Sequence, residues 1–349
     1  MLNLTKNKKI FIQYSFLLLL ICATVYLVST TLDIRLIPKI VKLVNKKFIL
    51  LGFLLMITYI ILEAVIINIL IKSVQKTKVR FLSIKIAMMG FYYNLVTPFA
   101  SGSQPMQIYT LNKYGINFSK STAIVTNKTV LFQTVVTIYC GVSMFFNIDL
   151  LKSKLPSVLI LMSIGMIINI ISLLGGMMIV LSPNAMKKIV FILSNILYKV
   201  KIFKSLHNKI PTINKFIDDY SYSIKLFIKD KKSLFISVLL TIVQLTIFFS
   251  ISYCVYKAFN LNGISFYHIF TLQVFLYMSV SPVPTPGNVG ANEIAFFTIF
   301  ANIFPKNIIG YCVFLYSIFV YYFLVVAGGL FTVHTHYHME KYKRKNYNL

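Results

Sequence analysis

Uninterrupted apolar runs of membrane-crossing length constrain this chain more than any other feature. A helix rising 1.5 Å per residue needs about 20 apolar residues to cross a hydrocarbon core of roughly 30 Å. Phe48 to Ile71 is one such run, and Glu63 is its only ionisable residue. Further runs place helices at Ile10 to Ser29, Ser119 to Phe146, Leu155 to Val180, Leu234 to Phe259 and Asn307 to Val333. Hydrophobic residues make up 58% of the 349 and charged residues 12%. Soluble domains average roughly 45–50% apolar and about 25% charged, so a soluble domain is excluded. The fold class that follows is an all-α polytopic membrane protein, expected to be a single integral membrane domain over residues 1–349.

Two other apolar runs are interrupted by Pro, Gly, Ser and Thr. The first, Phe81 to Tyr114, contains Asn94-Leu-Val-Thr-Pro-Phe-Ala-Ser-Gly-Ser-Gln-Pro105, and the second, Phe266 to Phe304, contains Ser281-Pro-Val-Pro-Thr-Pro-Gly-Asn-Val-Gly-Ala-Asn-Glu293. Irregular backbone at membrane depth is tolerated only where protein buries it or where it lines a polar cavity. Each region therefore reads as a re-entrant hairpin or a discontinuous helix.

Charge chooses between these. The 35 Lys and Arg against 8 Asp and Glu give a net charge of +27. They lie in short loops, where they act as a topology signal and meet anionic lipid head groups, not nucleic acid. The N-terminus, the eleven-lysine segment Ser182 to Lys232 and the tail Lys341, Lys343, Arg344, Lys345 should all be cytoplasmic. Six full crossings plus two hairpins satisfy all three, at the expense of an outside loop carrying Arg35, Lys39, Lys42, Lys46 and Lys47. The pattern helix, helix, hairpin, helix then occurs twice, over 1–146 and 155–333, with the second copy inverted. Val96-Thr97-Pro98 and Ser101 match Val280-Ser281-Pro282 and Thr285 at an offset of 184 residues. Inverted repeats with broken helices meeting near the midplane are a transporter architecture. The segment 182–232 mixes lysines with Ile, Leu, Phe and Tyr, which suits amphipathic helices on the cytoplasmic leaflet.

A helix that starts inside the membrane aims free N–H groups and the positive end of its dipole at the break, a place for phosphate or carboxylate. Ser101, Gly102, Ser103 and Gln104 precede a half-helix starting at Pro105, with Asn94 and Thr97 just before them. Thr285, Pro286, Gly287 and Asn288 form the second turn, ahead of Glu293. Glu63, Lys128 and Glu293 should face the bundle interior, since facing lipid would be expensive. Glu63 and Lys128 can pair structurally or meet a substrate, and Glu293 can complement its own helix dipole. Asn127, Gln133, Gln244 and Gln273 read as interhelical hydrogen-bonding residues. The four cysteines, Cys22, Cys140, Cys254 and Cys312, sit in apolar runs without metal-ligand spacing. The alternating His334, His336 and His338 suit the membrane interface better than a metal site on a strand. No cofactor and no metal are expected. The Gly-x-x-x-x-Gly-Lys, His-Glu-x-x-His and Gly-x-Ser-x-Gly motifs are all missing.

The stretches Asn94 to Tyr109 and Pro284 to Glu293 resemble the two signature stretches of the lysylphosphatidylglycerol synthase transmembrane family, the flippase-like half of the multiple peptide resistance factor. The family usually carries a Gly pair where this chain has Gly102-Ser103 and Gly287-Asn288. The resemblance implies a lipid translocase of a bacterial plasma membrane, moving a phospholipid such as lysyl-phosphatidylglycerol between leaflets. It also allows a phosphatidylglycerol lysyltransferase or its membrane subunit, serving lipid metabolism and resistance to cationic peptides. A non-transporting lipid-binding scaffold is the third reading. No soluble synthase domain is expected before Leu349, so a separate synthase protein is the partner the resemblance implies, beside anionic or aminoacylated phospholipids.

Overall fold

A computed structural model describes residues 35–75, 77, 79–98, 101–198, 210–283 and 285–347. Every regular element among them is helical. The expected helix Ile10 to Ser29, with Cys22, lies outside the described residues.

A short helix α1 (Leu36–Leu43) leads to α2 (Lys46–Val74), whose start is capped by the Asn45 side chain accepting from the Lys47 N–H. In α2, Leu50, Leu54, Ile57, Ile61 and Val65 are exposed while Met56, Tyr59, Ile60, Glu63 and Ile67 are buried. Both faces are largely apolar. That pattern belongs to a helix with lipid on one side and protein on the other, because in water the exposed face would be polar. The first broken run gives α3 (Leu82–Val96) and α4 (Ser103–Lys113), followed by α5 (Phe118–Phe146). After a short α6 (Ile148–Lys154) come α7 (Pro156–Leu181), α8 (Pro183–Tyr198) and α9 (Ile210–Lys229). Next are α10 (Lys231–Phe249) and α11 (Ile251–Ala258), which together make one long apolar helical stretch. The second broken run gives α12 (Phe266–Val280), a 3₁₀ turn at Pro286–Asn288 and α13 (Ala291–Phe300). The chain closes with α14 (Ile309–Ser317), a π-helical turn at Ile318–Tyr322 and α15 (Phe323–Tyr347).

Among the described residues, five stretches are long and apolar enough to cross: Lys46–Val74, Phe118–Phe146, Pro156–Gly175, Lys231–Ala258 and Ile309–Met339. Each coincides with an expected crossing. The last is central, with 72% of its most apolar window buried, whereas Pro156–Gly175, at 17%, is peripheral. The arms α3 and α12 have 15 residues each and rise only about 22 Å, short of a core of roughly 30 Å. Each folds back on its successor, α3 on α4 and α12 on α13.

Packing between the halves is exchanged in a regular way. The broken arm α3 lies on α15, the broken arm α12 lies on α5 as well as on α7 of its own half, and α2 packs on α10. Small residues set the closest approaches. A Cβ at Gly52 would fall 2.4 Å from the Phe319 ring, and one at Gly90 would fall 2.0 Å from Gln107 Nε2. Gln107 donates to the Ile86 carbonyl at 3.2 Å and so ties α4 to α3. Gln273 accepts from Ser252 and donates to the Tyr316 hydroxyl at 2.7 Å, joining α11, α12 and α14.

One reading of the sequence needs revision. The helix α9 buries Ile217, Tyr220, Ile224 and Phe227 and packs on α5, so protein receives an apolar face expected to lie in the leaflet. Lys187 and Asp218, 2.6 Å apart, link α8 to α9. His334, His336 and His338 lie on helix α15; the His334 and His338 rings, one turn apart, have centroids 4.4 Å apart and are tilted by 60°, and His336 Nε2 is 3.3 Å from the Tyr93 hydroxyl. Cys140, Cys254 and Cys312 are buried thiols.

A Cβ on Gly165 would sit 2.7 Å from the Met278 carbonyl oxygen, and backbone cannot yield as a side-chain tip can. Gly165→Ala should therefore push α7 off α12 and destabilise by about 1–3 kcal/mol. Gly175, with nothing within 4 Å, is the control, and its alanine variant should be neutral or stabilising by about 0.5–1 kcal/mol. Thermal unfolding in detergent checks both; equal midpoints would contradict this packing.

Candidate functional site

The first break is closed by a threonine. Thr97 Oγ1 donates to the Tyr93 carbonyl at 2.6 Å and accepts from the Gly102 N–H at 2.9 Å, bridging the unwound residues. Ser101 turns inward on the loop, its Oγ donating to the Pro98 carbonyl at 2.9 Å. A Cβ at Gly102 would lie 2.7 Å from Thr97 Cγ2, so glycine allows the closure. The helix beyond starts at Ser103, two residues earlier than expected, which puts Pro105 at its third position. The first four N–H groups of a helix lack intrahelical acceptors, so a proline there removes no bond.

The second break is held by glycines and by Glu293. Gly287 and Asn288 adopt φ of 58° and 56°, and Gly290 has φ of 82°. The Gly290 N–H donates to Glu293 Oε2 at 2.6 Å, and Ser317 Oγ donates to Glu293 Oε1 at 3.0 Å. The carboxylate thus caps its own helix and fastens it to α14, immediately before the π-helical turn. Asn292 Nδ2 donates to the Gly287 carbonyl at 3.4 Å. Thr285 Oγ1 and the Tyr321 hydroxyl are buried without a partner.

These two breaks touch. A Cβ on Gly287 would lie 2.9 Å from the Leu95 carbonyl oxygen and 2.4 Å from the Tyr321 ring, so the second turn seats against the last turn of α3 only as glycine. Beside this contact is a cavity of about 370 Å³. From the first break it receives Asn94, Ser103 and Gln104, and from the second Ser281, Gly287, Asn288 and Asn292. Glu63, Lys128, Gln133 and Asn169 bring polarity from α2, α5 and α7, while Phe91, Phe132, Phe248 and Tyr277 supply aromatic walls.

One ion pair stands at the cavity wall. Lys128 Nζ is 2.5 Å from Glu63 Oε1, and the side chains are 17% and 6% exposed. Gln244 Nε2 donates to Glu63 Oε2 at 3.0 Å. The pair is nearly dry on the glutamate side and partly open on the lysine side. A cation with free donor capacity therefore borders the cavity beside an anion whose two oxygens already accept.

Of the residues singled out in the sequence, Asn94, Gln104, Gly287, Asn288, Glu63 and Lys128 line this cavity. Thr97, Ser101, Gly102, Thr285 and Glu293 stand around it as residues of the two turns. Asn169 and Asn292 were not singled out. Asn169, an amide inside the apolar run of α7, carried a signal as plain as that of Asn94.

The family model described as Lysylphosphatidylglycerol synthase TM region matches residues 12–328. No curated protein matches the chain, and no solved structure does.

Removing one partner of a buried pair strands the other charge, typically at about 3–5 kcal/mol. Lys128→Met should therefore lower stability by that order, and adding Glu63→Gln should restore most of it. Unfolding midpoints of the single and double variants check the coupling. A single variant as stable as the parent would contradict the pair.

Proposed function

The chain belongs to the lysylphosphatidylglycerol synthase transmembrane family, and from that premise we propose that it is a lipid translocase whose head-group path is the cavity between the two helix breaks. The observation that carries this reading is the shared cavity itself, which mixes amides, hydroxyls and an ion pair inside a bundle built from apolar helices. Unwound backbone and buried charge are both costly in a membrane protein, and a polar passage gives both a use.

In this reading a head-group phosphate accepts from Lys128 and from the Gln104 and Asn94 amides. An ammonium on the same head group, as on an aminoacylated phospholipid, is met by the side-chain carbonyl oxygens of Gln133 and Asn169 in the cavity wall. The acyl chains stay in lipid. Thr97, Ser101, Gly102, Thr285 and Glu293 act one step back, fixing the turns that carry the contacting residues. The second helical copy is taken as inverted, with both termini and the lysine-rich segment on the cytoplasmic side of the cell membrane. The family description ties such a lipid to lysylphosphatidylglycerol synthesis, and a synthase acting as a separate protein would supply it.

The test is dithionite quenching of fluorescent phosphatidylglycerol in liposomes, with the protein and with a Gln104→Leu, Asn288→Leu variant. Losing a polar contact worth about 1–1.5 kcal/mol slows passage about tenfold. The parent should carry quenching past the outer-leaflet share, and the folded variant should do so at least about tenfold more slowly. Equal rates would overturn the site; quenching confined to the outer leaflet would overturn translocation of this lipid.

A further inference from the structure

A second hollow lies on the other side of α5. The cavity takes Lys128, Thr129, Phe132 and Gln133 from that helix, whereas this groove of about 640 Å³ takes Asn127, Val130, Leu131 and Thr134. Its other walls come from α7, α9 and α10, and they are aliphatic and aromatic throughout. On α5 it runs from Thr126 to Val142, a rise of about 24 Å, longer than the ~15 Å that one leaflet contributes to a core of roughly 30 Å.

Two observations say what fills it. Asn127, 6% exposed, is an amide in this apolar wall, and its Nδ2 has no partner in the protein. An unpaired buried donor is unfavourable by about 1–3 kcal/mol, which an incoming acceptor relieves. Exposed Lys225, Lys229, Lys231 and Lys232 flank the lining residues Ile224, Ile228 and Leu234, at the end of the groove where Asn127 sits. The acid among them, Asp230, is engaged as the cap of α10, accepting from the Ser233 N–H at 3.1 Å.

We propose that this groove is a binding site for one anionic diacyl phospholipid, with an acyl chain along α5, an ester carbonyl accepting from Asn127 and the phosphate among the lysines. The order of the groups matches the order in a phospholipid: charge, then carbonyl, then hydrocarbon. The site is separate from the translocation cavity and stands or falls without it, because the test reads binding and not transport.

The sequence contains no tryptophan, so a single introduced one reports alone. Ile138→Trp places it at the groove and Ile171→Trp, exposed and away from the groove, serves as the lipid-facing control. Both are reconstituted in phosphatidylcholine vesicles containing a minor fraction of phosphatidylglycerol with brominated chains. The groove tryptophan should be quenched as if that lipid were enriched about fivefold, the factor of a single lysine contact, while the control follows the bulk fraction. Asn127→Leu, and separately Lys225→Gln with Lys229→Gln, Lys231→Gln and Lys232→Gln, should bring the groove signal down to the control. The surface lysine variant keeps the test decisive if Asn127→Leu fails to fold. Equal quenching at both positions overturns the proposal, and so does equal enrichment of brominated phosphatidylcholine. Quenching below the control, as when another segment of the chain fills the groove, overturns it too.

Discussion

Backbone without water needs a partner for every N–H and C=O, and the rest of this structure depends on how two unwound turns meet that demand. At the first, Thr97 takes over, giving its hydroxyl to one carbonyl and receiving the Gly102 N–H. At the second, Glu293 receives the Gly290 N–H and binds Ser317. The turns then rest on each other through Gly287 and the Leu95 carbonyl, a contact without room for a Cβ. Because α3 lies on α15 and α12 on α5, this one contact ties together helices from both ends of the chain.

Solving the backbone problem with side chains leaves the remaining polar groups free to face a cavity. Asn94, Gln104 and Asn288 lie within a few residues of the closing Thr97 and Glu293, yet they line open space. The same division separates the ionisable groups. Glu293 is consumed by its helix end, while the Glu63 and Lys128 pair borders the cavity with only the lysine partly open. The π-helical turn at Ile318–Tyr322 follows directly on Ser317, so the capped helix end adjoins a locally rewound stretch of the central helix.

Much of this was legible because the membrane imposes length. Among the described residues, the five helical stretches long and apolar enough to cross fall on the apolar runs, and both breaks fall on the Pro and Gly clusters. The buried pair was legible as two opposite charges with nowhere else to go. Less visible were the partners of α9, since an amphipathic face does not say whether it meets lipid or protein, and here it meets α5. Spacing did offer Glu293 its own helix N-terminus, but it could not show the second bond, from Ser317, 24 residues away. The groove beside Asn127 was hidden for a similar reason, as its walls come from four helices scattered over more than 100 residues.

The central claim is that the two breaks meet at one cavity in the membrane-embedded protein. Cysteines at Gln104 and Asn288, in a background with the native cysteines replaced by alanine, test it in native membranes with a short bifunctional thiol reagent. The account predicts an intramolecular cross-link at this pair and none when Asn288→Cys is combined with Ile171→Cys on the lipid-facing side of α7. Absence of a cross-link at 104 and 288 in folded protein, with each cysteine reactive alone, would contradict it.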